Sequence, residues 1–159
     1  MSNAQPIIRD EGEGERRWFF GGGLHIWKAR AAETGGSFYV LEDHLTRGKV
    51  TPLHQHPDHD ELAYVIEGEL LYKSGDSERR VGRGATIVTP RGVPHAFLVL
   101  SESARILALQ APGSGEAFYI AASEPAGEAD GRVDFSRIGE AAKSTGVTVV
   151  LGPPPFKKP

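Results

Sequence analysis

Three histidines and one glutamate are spaced along this sequence in a way that suits a mononuclear metal site. His54 and His56 are two residues apart, so on a β-strand both imidazoles point to the same face. After a short turn, Glu61 begins the next apolar run and shares its face with Ala63 by the same alternation. A hard carboxylate oxygen beside two imidazole nitrogens is a ligand set that suits Fe, Mn, Co, Ni, Cu or Zn.

A further histidine stands at the start of another apolar run. The segment 84–95 reads as a strand, then a turn rich in Pro and Gly, and then His95. His95, Phe97 and Val99 share one face, and a fourth metal ligand explains a histidine in such an apolar setting. We therefore predict one divalent transition metal on His54, His56, Glu61 and His95, with Phe97, Val99 and Ala63 in the substrate pocket.

The sequence is also compatible with other roles for these histidines. The four predicted ligands could instead form a metal-free pocket, satisfied by each other and by water, but each buried polar group left without a partner costs about 1–3 kcal/mol. His59 replaces a ligand only if its turn folds differently, and we expect it at the solvent-exposed rim. His25 and His44 read as ordinary sheet histidines.

The elements that must position these residues are short strands. Twenty glycines and eleven prolines divide the chain into apolar runs that are too short for most helices. The predicted strands are 17–20, 24–29, 37–45, 62–67, 69–73, 85–89, 95–100, 104–110 and 116–121. One helix is predicted between Asp134 as N-cap and Gly146 as its end, followed by an edge strand over 147–151. The pattern favours an all-β antiparallel sandwich or barrel.

These residues also carry a resemblance to the cupin superfamily. The first motif of that family is filled by Gly48, His54, His56, Glu61 and Gly68, and the second is matched by Gly84, Pro90, Gly92 and His95. Val99 stands where the second motif has Asn, which implies a more apolar pocket wall. The resemblance implies a double-stranded β-helix, or jelly-roll, barrel with a short C-terminal helix added here.

The flanking segments resemble those of single-domain cupins similar to quercetin 2,3-dioxygenases. The resemblance implies a dioxygenase-type oxidoreductase that acts on a small phenolic or enolisable substrate, with Glu61 as ligand and general base. A base role requires a raised pKa for Glu61. The alternatives are a non-catalytic sensor or small-molecule-binding cupin, and a metal-dependent isomerase or lyase.

Length, charge and composition exclude several other classes. The 159 residues fit one domain, which we divide into a flexible N-terminal segment (1–15), the barrel (16–122) and a linker, helix and Pro-rich tail (123–159). With 18 basic and 21 acidic residues and a net charge of -3, nucleic acid and membrane partners are not expected. The absence of cysteine excludes thiolate ligands and disulfides. We expect a cytoplasmic protein, and the resemblance to cupins implies a homodimer, which would pair through exposed strands in the aromatic-rich segment 16–27.

Overall fold

The computed structural model describes residues 5–157, so the ends of the predicted N-terminal segment and Pro-rich tail lie outside the described residues. Within this range β-strand is the main secondary structure, as predicted. The strands are β1 (Glu15–Phe19), β2 (Leu24–Ala29), β3 (Tyr39–Thr46), β4 (Leu53–Gln55), β5 (Asp60–Glu67), β6 (Glu69–Ser74), β7 (Ser77–Gly82), β8 (Thr86–Thr89), β9 (Ala96–Val99), β10 (Ser103–Ala111), β11 (Ser123–Pro125) and β12 (Val149–Gly152). The α-helices are α1 (Glu116–Ala121) and α2 (Phe135–Thr145).

Two antiparallel layers form the jelly roll. One is a seven-stranded sheet in the order β11-β1-β2-β3-β10-β5-β8. The other consists of the strand pair β12-β4 and the three-stranded sheet β7-β6-β9, which isolated bridges at His54↔His95 and Val50↔Leu98 bring side by side. The sheets are not closed into one continuous barrel, so the molecule is a jelly-roll sandwich with open edges rather than the predicted closed barrel.

Apolar side chains from both layers meet in the core. Leu45 and Val65 of the large sheet are buried together with Leu70 and Val99 of the small one. The alternation of apolar and polar residues along each strand produces this core, because every second side chain points between the layers. The same alternation directs the predicted metal ligands into the interior.

Helix α2 confirms the predicted C-terminal helix. The Asp134 carboxylate accepts hydrogen bonds from the backbone amides of Ser136 and Arg137, and Gly146 ends the helix in the left-handed conformation. Its buried face, through Ile138, packs against an aromatic cluster that includes Phe19. Strand β12 follows the helix and pairs with β4, close to the predicted edge strand over 147–151.

The prediction of a strand over 116–121 is wrong, because these residues form helix α1. Its first residues, Glu116 and Ala117, favour helix, and one and a half turns place Phe118 in the same cluster as Phe19 and Ile138. Burial of one aromatic face therefore outweighs the β-propensity of the aromatic residues in this segment.

The prediction that 16–27 offers exposed strands for a dimer contact is also wrong. Strand β1 lies between β11 and β2, and β2 is paired on its other side with β3. Phe19 and Trp27 are buried within the chain. Within the described residues, no helix has the length and apolar character needed to cross a membrane.

Candidate metal centre

The three predicted histidine ligands meet between β4 and β9. His54 and His95 face each other as an antiparallel pair, with amide-to-carbonyl distances of 3.1 Å and 2.9 Å. Their ring centroids are 4.3 Å apart, and the His56 ring lies 5.1 Å from that of His54 and 5.3 Å from that of His95. One ligand atom of each histidine lies within 4.8 Å of those of the other two, close enough for all three to hold one metal ion.

Each imidazole is oriented by an oxygen atom at Nδ1. His54 Nδ1 lies 2.8 Å from the Pro52 carbonyl, and His95 Nδ1 lies 2.9 Å from the Val93 carbonyl. A carbonyl accepts only, so each of these Nδ1 atoms carries the proton and leaves the Nε2 lone pair free. His56 Nδ1 lies 3.1 Å from Thr148 Oγ1. Oxygen partners of this kind are typical of histidines that bind a metal through the other nitrogen.

Glu61 enters the same space from β5. Its Oε2 lies 3.1 Å from His56 Nε2 and its Oε1 lies 3.8 Å from His95 Nε2. Both of these buried Nε2 atoms lack a hydrogen-bond partner among the described residues. The Val93 carbonyl leaves His95 Nε2 without a proton, so this nitrogen would repel the Glu61 carboxylate unless a cation lay between them. The donor set therefore fits a bound divalent metal.

The ionisation of these groups also suits a metal. Burial, followed by the charges of His95 and His56, lowers the pKa of His54 to about 3. Burial likewise lowers the pKa of His95. Burial opposes ionisation of Glu61, but the contact with His56 and the neighbouring imidazoles hold its pKa below its usual range. At neutral pH His54 and His95 are thus neutral imidazoles and Glu61 is a carboxylate, which are the forms that bind metals.

A hydrogen-bonded row across the large sheet supports the Glu61 carboxylate. Gln110 on β10 lies opposite both Glu61 and Tyr39 in the strand register. Its Nε2 donates to Glu61 Oε2 and lies 3.1 Å from the Tyr119 hydroxyl, while its Oε1 accepts from the Tyr39 hydroxyl. The sequence prediction did not include this row, although the side-chain alternation of β10 would have pointed Gln110 inward.

The prediction of a rim position for His59 is wrong. His59 lies in the turn before β5, as expected, but only 1% of it is exposed. Its ring packs 4.5 Å from that of His56, and neither ring nitrogen makes a hydrogen bond of good geometry within the described residues. Gly115 makes this burial possible, because a Cβ there would lie 2.8 Å from His59 Nε2.

The three predicted pocket residues do not lie together. Phe97 and Ala63 line the cavity that contains His54, Glu61 and His95. Val99 is 1% exposed and packs in the apolar core between the layers. The cavity extends well beyond the histidines, and its walls include Phe19, Phe118, Tyr72 and Ile138.

Comparisons with known proteins agree with this architecture. A family model described as "Cupin domain" matches residues 41–109. The chain is 26% identical over 122 residues to quercetin 2,3-dioxygenase of Bacillus subtilis (strain 168), which covers 77% of this chain and 36% of that protein. It therefore spans about a third of the length of that relative.

Two further comparisons extend the likeness. An uncharacterized protein of Streptomyces coelicolor is 31% identical over 103 residues, which are 65% of this chain and 91% of that protein. Among solved structures, an RmlC-like cupin from Shewanella frigidimarina has a TM-score of 0.58 and 14% identity, covering 68% of this chain and 92% of that chain. At that identity the structural likeness shows the fold alone.

Proposed function

This chain belongs to the cupin superfamily, and from that premise we propose that it is a metal-dependent oxidoreductase of the dioxygenase type. Its substrate is a small phenolic or enolisable compound. The observation that carries the proposal is the convergence of three oriented imidazoles and a carboxylate at an apolar, aromatic cavity. The relationship to quercetin 2,3-dioxygenase supports the choice of reaction.

His54, His56, His95 and Glu61 would hold the metal. When bound, a divalent transition metal supplies a Lewis-acid centre with open positions for a substrate oxygen and dioxygen. Three neutral imidazoles and one carboxylate leave about one net positive charge on such a site, which favours an anionic oxygen such as a phenolate or enolate. The aromatic walls exclude water from the reacting atoms.

For the role of Glu61 as general base, the position of the carboxylate is favourable and its pKa is unfavourable. A base that takes the substrate proton would sit beside the substrate oxygen, where the Glu61 carboxylate lies next to His56 and His95. The pKa of Glu61 below its usual range is the opposite of what a strong base needs. The row from Tyr39 through Gln110 holds the carboxylate in place, which suits a ligand.

Elemental analysis and an oxygen electrode test the proposal together. Protein loaded separately with Fe, Mn, Co, Ni, Cu or Zn is assayed for bound metal and for oxygen uptake with flavonols, diketones and catechols. We expect about one metal per chain and substrate-dependent uptake. His95→Gln should lose both. The matched control is His44→Gln on β3, since His44 contacts Glu42 outside the site.

The outcome separates the proposal from its alternatives. No oxygen uptake with any compound of the panel contradicts the dioxygenase. Tight retention of one ligand without turnover would indicate a binding module, and product formation without oxygen uptake would indicate an isomerase or lyase. A cytoplasmic homodimer remains a prediction, which size-exclusion chromatography of the full chain tests for its oligomeric part.

A further inference from the structure

A second group of polar side chains lines the cavity away from the candidate metal ligands His54 and His95. The group, called the distal cluster below, consists of Lys49, Asp43 and His25. Asp43 lies opposite Ile106 on β10, four residues from Gln110 in the row that supports Glu61. At about 3.3 Å per residue, the position of Asp43 is therefore roughly 13 Å from that of Gln110 along the strand direction.

Lys49 brings an ammonium group into this end of the cavity. Its Nζ donates to the Gly21 carbonyl at 2.5 Å and lies over the rings of Phe19 (5.0 Å) and Phe97 (6.0 Å). No carboxylate oxygen of the described residues lies within 4.0 Å of it. An ammonium has three donors, so two remain for another partner. Loss of water through burial lowers the pKa of Lys49 to about 8, although the charge of Asp43 opposes the shift.

Asp43 and His25 line the same cavity as Lys49 and supply acceptor atoms there. His25 Nε2 lies 2.8 Å from Asp43 Oδ1, but the angle does not make a hydrogen bond, and Oδ1 has no hydrogen-bond partner among the described residues. The His25 ring is held by stacking on Phe19, with centroids 4.7 Å apart. The distal cluster therefore presents both donors and an acceptor that lack partners.

We propose that the distal cluster binds a hydroxyl group at the far end of an aromatic substrate whose other oxygen faces the histidines. This inference rests on the proposed function and names the substrate class more narrowly, as an elongated phenol with a second, distal hydroxyl. The hydroxyl donates to Asp43 and accepts from Lys49. The intervening rings pack against Phe19, Phe97 and Phe118.

The charges of Asp43 and Lys49 disfavour other simple groups at this end of the substrate. A carboxylate would meet the acceptor atoms of Asp43, and an ammonium would meet Lys49. A hydroxyl is both donor and acceptor, so it satisfies both side chains. A methyl or bare ring edge would leave the buried ammonium and carboxylate without new partners, which is unfavourable in an apolar cavity.

Two flavonols that differ by one distal hydroxyl test the proposal. The probes are 3-hydroxyflavone and 3,4′-dihydroxyflavone, titrated by fluorescence against zinc-loaded full chain, because zinc has no redox chemistry and turnover does not interfere. We expect the wild type to bind the dihydroxy probe roughly tenfold more tightly, as for a hydrogen bond to a charged group.

Variants assign that preference to the distal cluster. Lys49→Met and Asp43→Leu should each bind the two probes with equal affinity. Lys73→Met, on a β6 residue paired with Glu78, is the matched control and should keep the wild-type preference. If Lys49→Met does not fold, as judged by circular dichroism, Asp43→Leu carries the same comparison.

The results also separate this inference from the proposed reaction. A wild type that binds neither probe or shows no preference overturns the inference, and so does a preference that survives in both variants. Tighter binding of the dihydroxy probe without any oxygen uptake would support the role of the distal cluster and contradict the dioxygenase proposal. Oxygen uptake with equal binding of the two probes would support the dioxygenase proposal and contradict the role of the distal cluster.

Discussion

The three imidazoles of the candidate metal centre are held by two different kinds of oxygen atom. His54 and His95 contact backbone carbonyls of Pro52 and Val93, which no substitution of a side chain removes. His56 contacts the hydroxyl of Thr148, 92 residues away in the sequence. The orientation of His56 is therefore the one that a single mutation can disturb.

Thr148→Val should weaken metal binding while leaving the fold intact. Valine keeps the shape of the side chain but removes the oxygen that holds His56 Nδ1, and loss of such a partner typically lowers metal affinity 10–100-fold. Competition with a chromogenic chelator measures the affinity. Thr86→Val, at an exposed position on β8, is the control. Equal affinities in the two variants would contradict the role of Thr148.

Gln110→Met should affect both metal affinity and stability. Methionine fills the space but leaves the Tyr39 hydroxyl and the Glu61 carboxylate without their shared partner. We expect a loss of about 1–3 kcal/mol in the free energy of unfolding, measured in urea, and weaker metal binding by the folded protein. A variant with unchanged metal affinity would show that Glu61 needs no support from this row.

Strand alternation was enough to predict that the side chains of His54, His56, Glu61 and His95 meet in the interior, because successive side chains of a strand point to opposite faces. It could not predict Thr148, whose role depends on the pairing of β12 with β4. It also missed the burial of His59, which depends on the absence of a side chain at Gly115. Contacts between distant segments are set by packing, not by local pattern.

At the scale of elements, the turn between β5 and β6 depends on a glycine. Gly68 has a φ of +90°, and a Cβ at this position would lie 2.5 Å from the Ser103 carbonyl oxygen. Gly75, in the next hairpin turn, also has a positive φ of +56° but has nothing within 4 Å of the Cβ position. Substitutions at these two positions therefore distinguish the cost of backbone strain, which both share, from the cost of a steric clash, which only Gly68 has.

Gly68→Ala should destabilise the protein more than Gly75→Ala. Both variants place an L side chain in the left-handed region, at about 1–2 kcal/mol, and only Gly68→Ala adds the backbone clash. We expect a loss of about 3 kcal/mol or more for Gly68→Ala and about 1 kcal/mol for Gly75→Ala. Urea unfolding followed by fluorescence compares them. Equal losses would mean that the strand after Gly68 shifts without penalty.

The elements themselves were predicted unevenly. Helix α2 was predictable because its N-cap, apolar face and terminal glycine agree. Helix α1 was not, since its six residues are too few to show a helical period and its aromatic residues also suit a strand. The open edges of the sandwich follow from how the two layers meet, a property that no single strand encodes.

At the scale of the whole molecule, metal binding should raise the melting temperature. A ligand at 100 times its Kd stabilises the folded state by about 2.7 kcal/mol, which for a domain of this size is roughly 5–10 °C. Thermal unfolding before and after EDTA treatment measures the difference. His95→Gln should show no response to EDTA, and a wild type that also shows none would contradict metal binding by the folded chain.

Strand β12 joins the end of the described chain to the metal centre. Val150 lies opposite His54 in the strand register, and both Val150 and Thr148 line the cavity. The amide hydrogens of β12 therefore act as a natural reporter of what the cavity contains. Deuterium uptake at this strand should slow when a metal or a flavonol is bound, so exchange mass spectrometry can screen compounds without any assay of turnover.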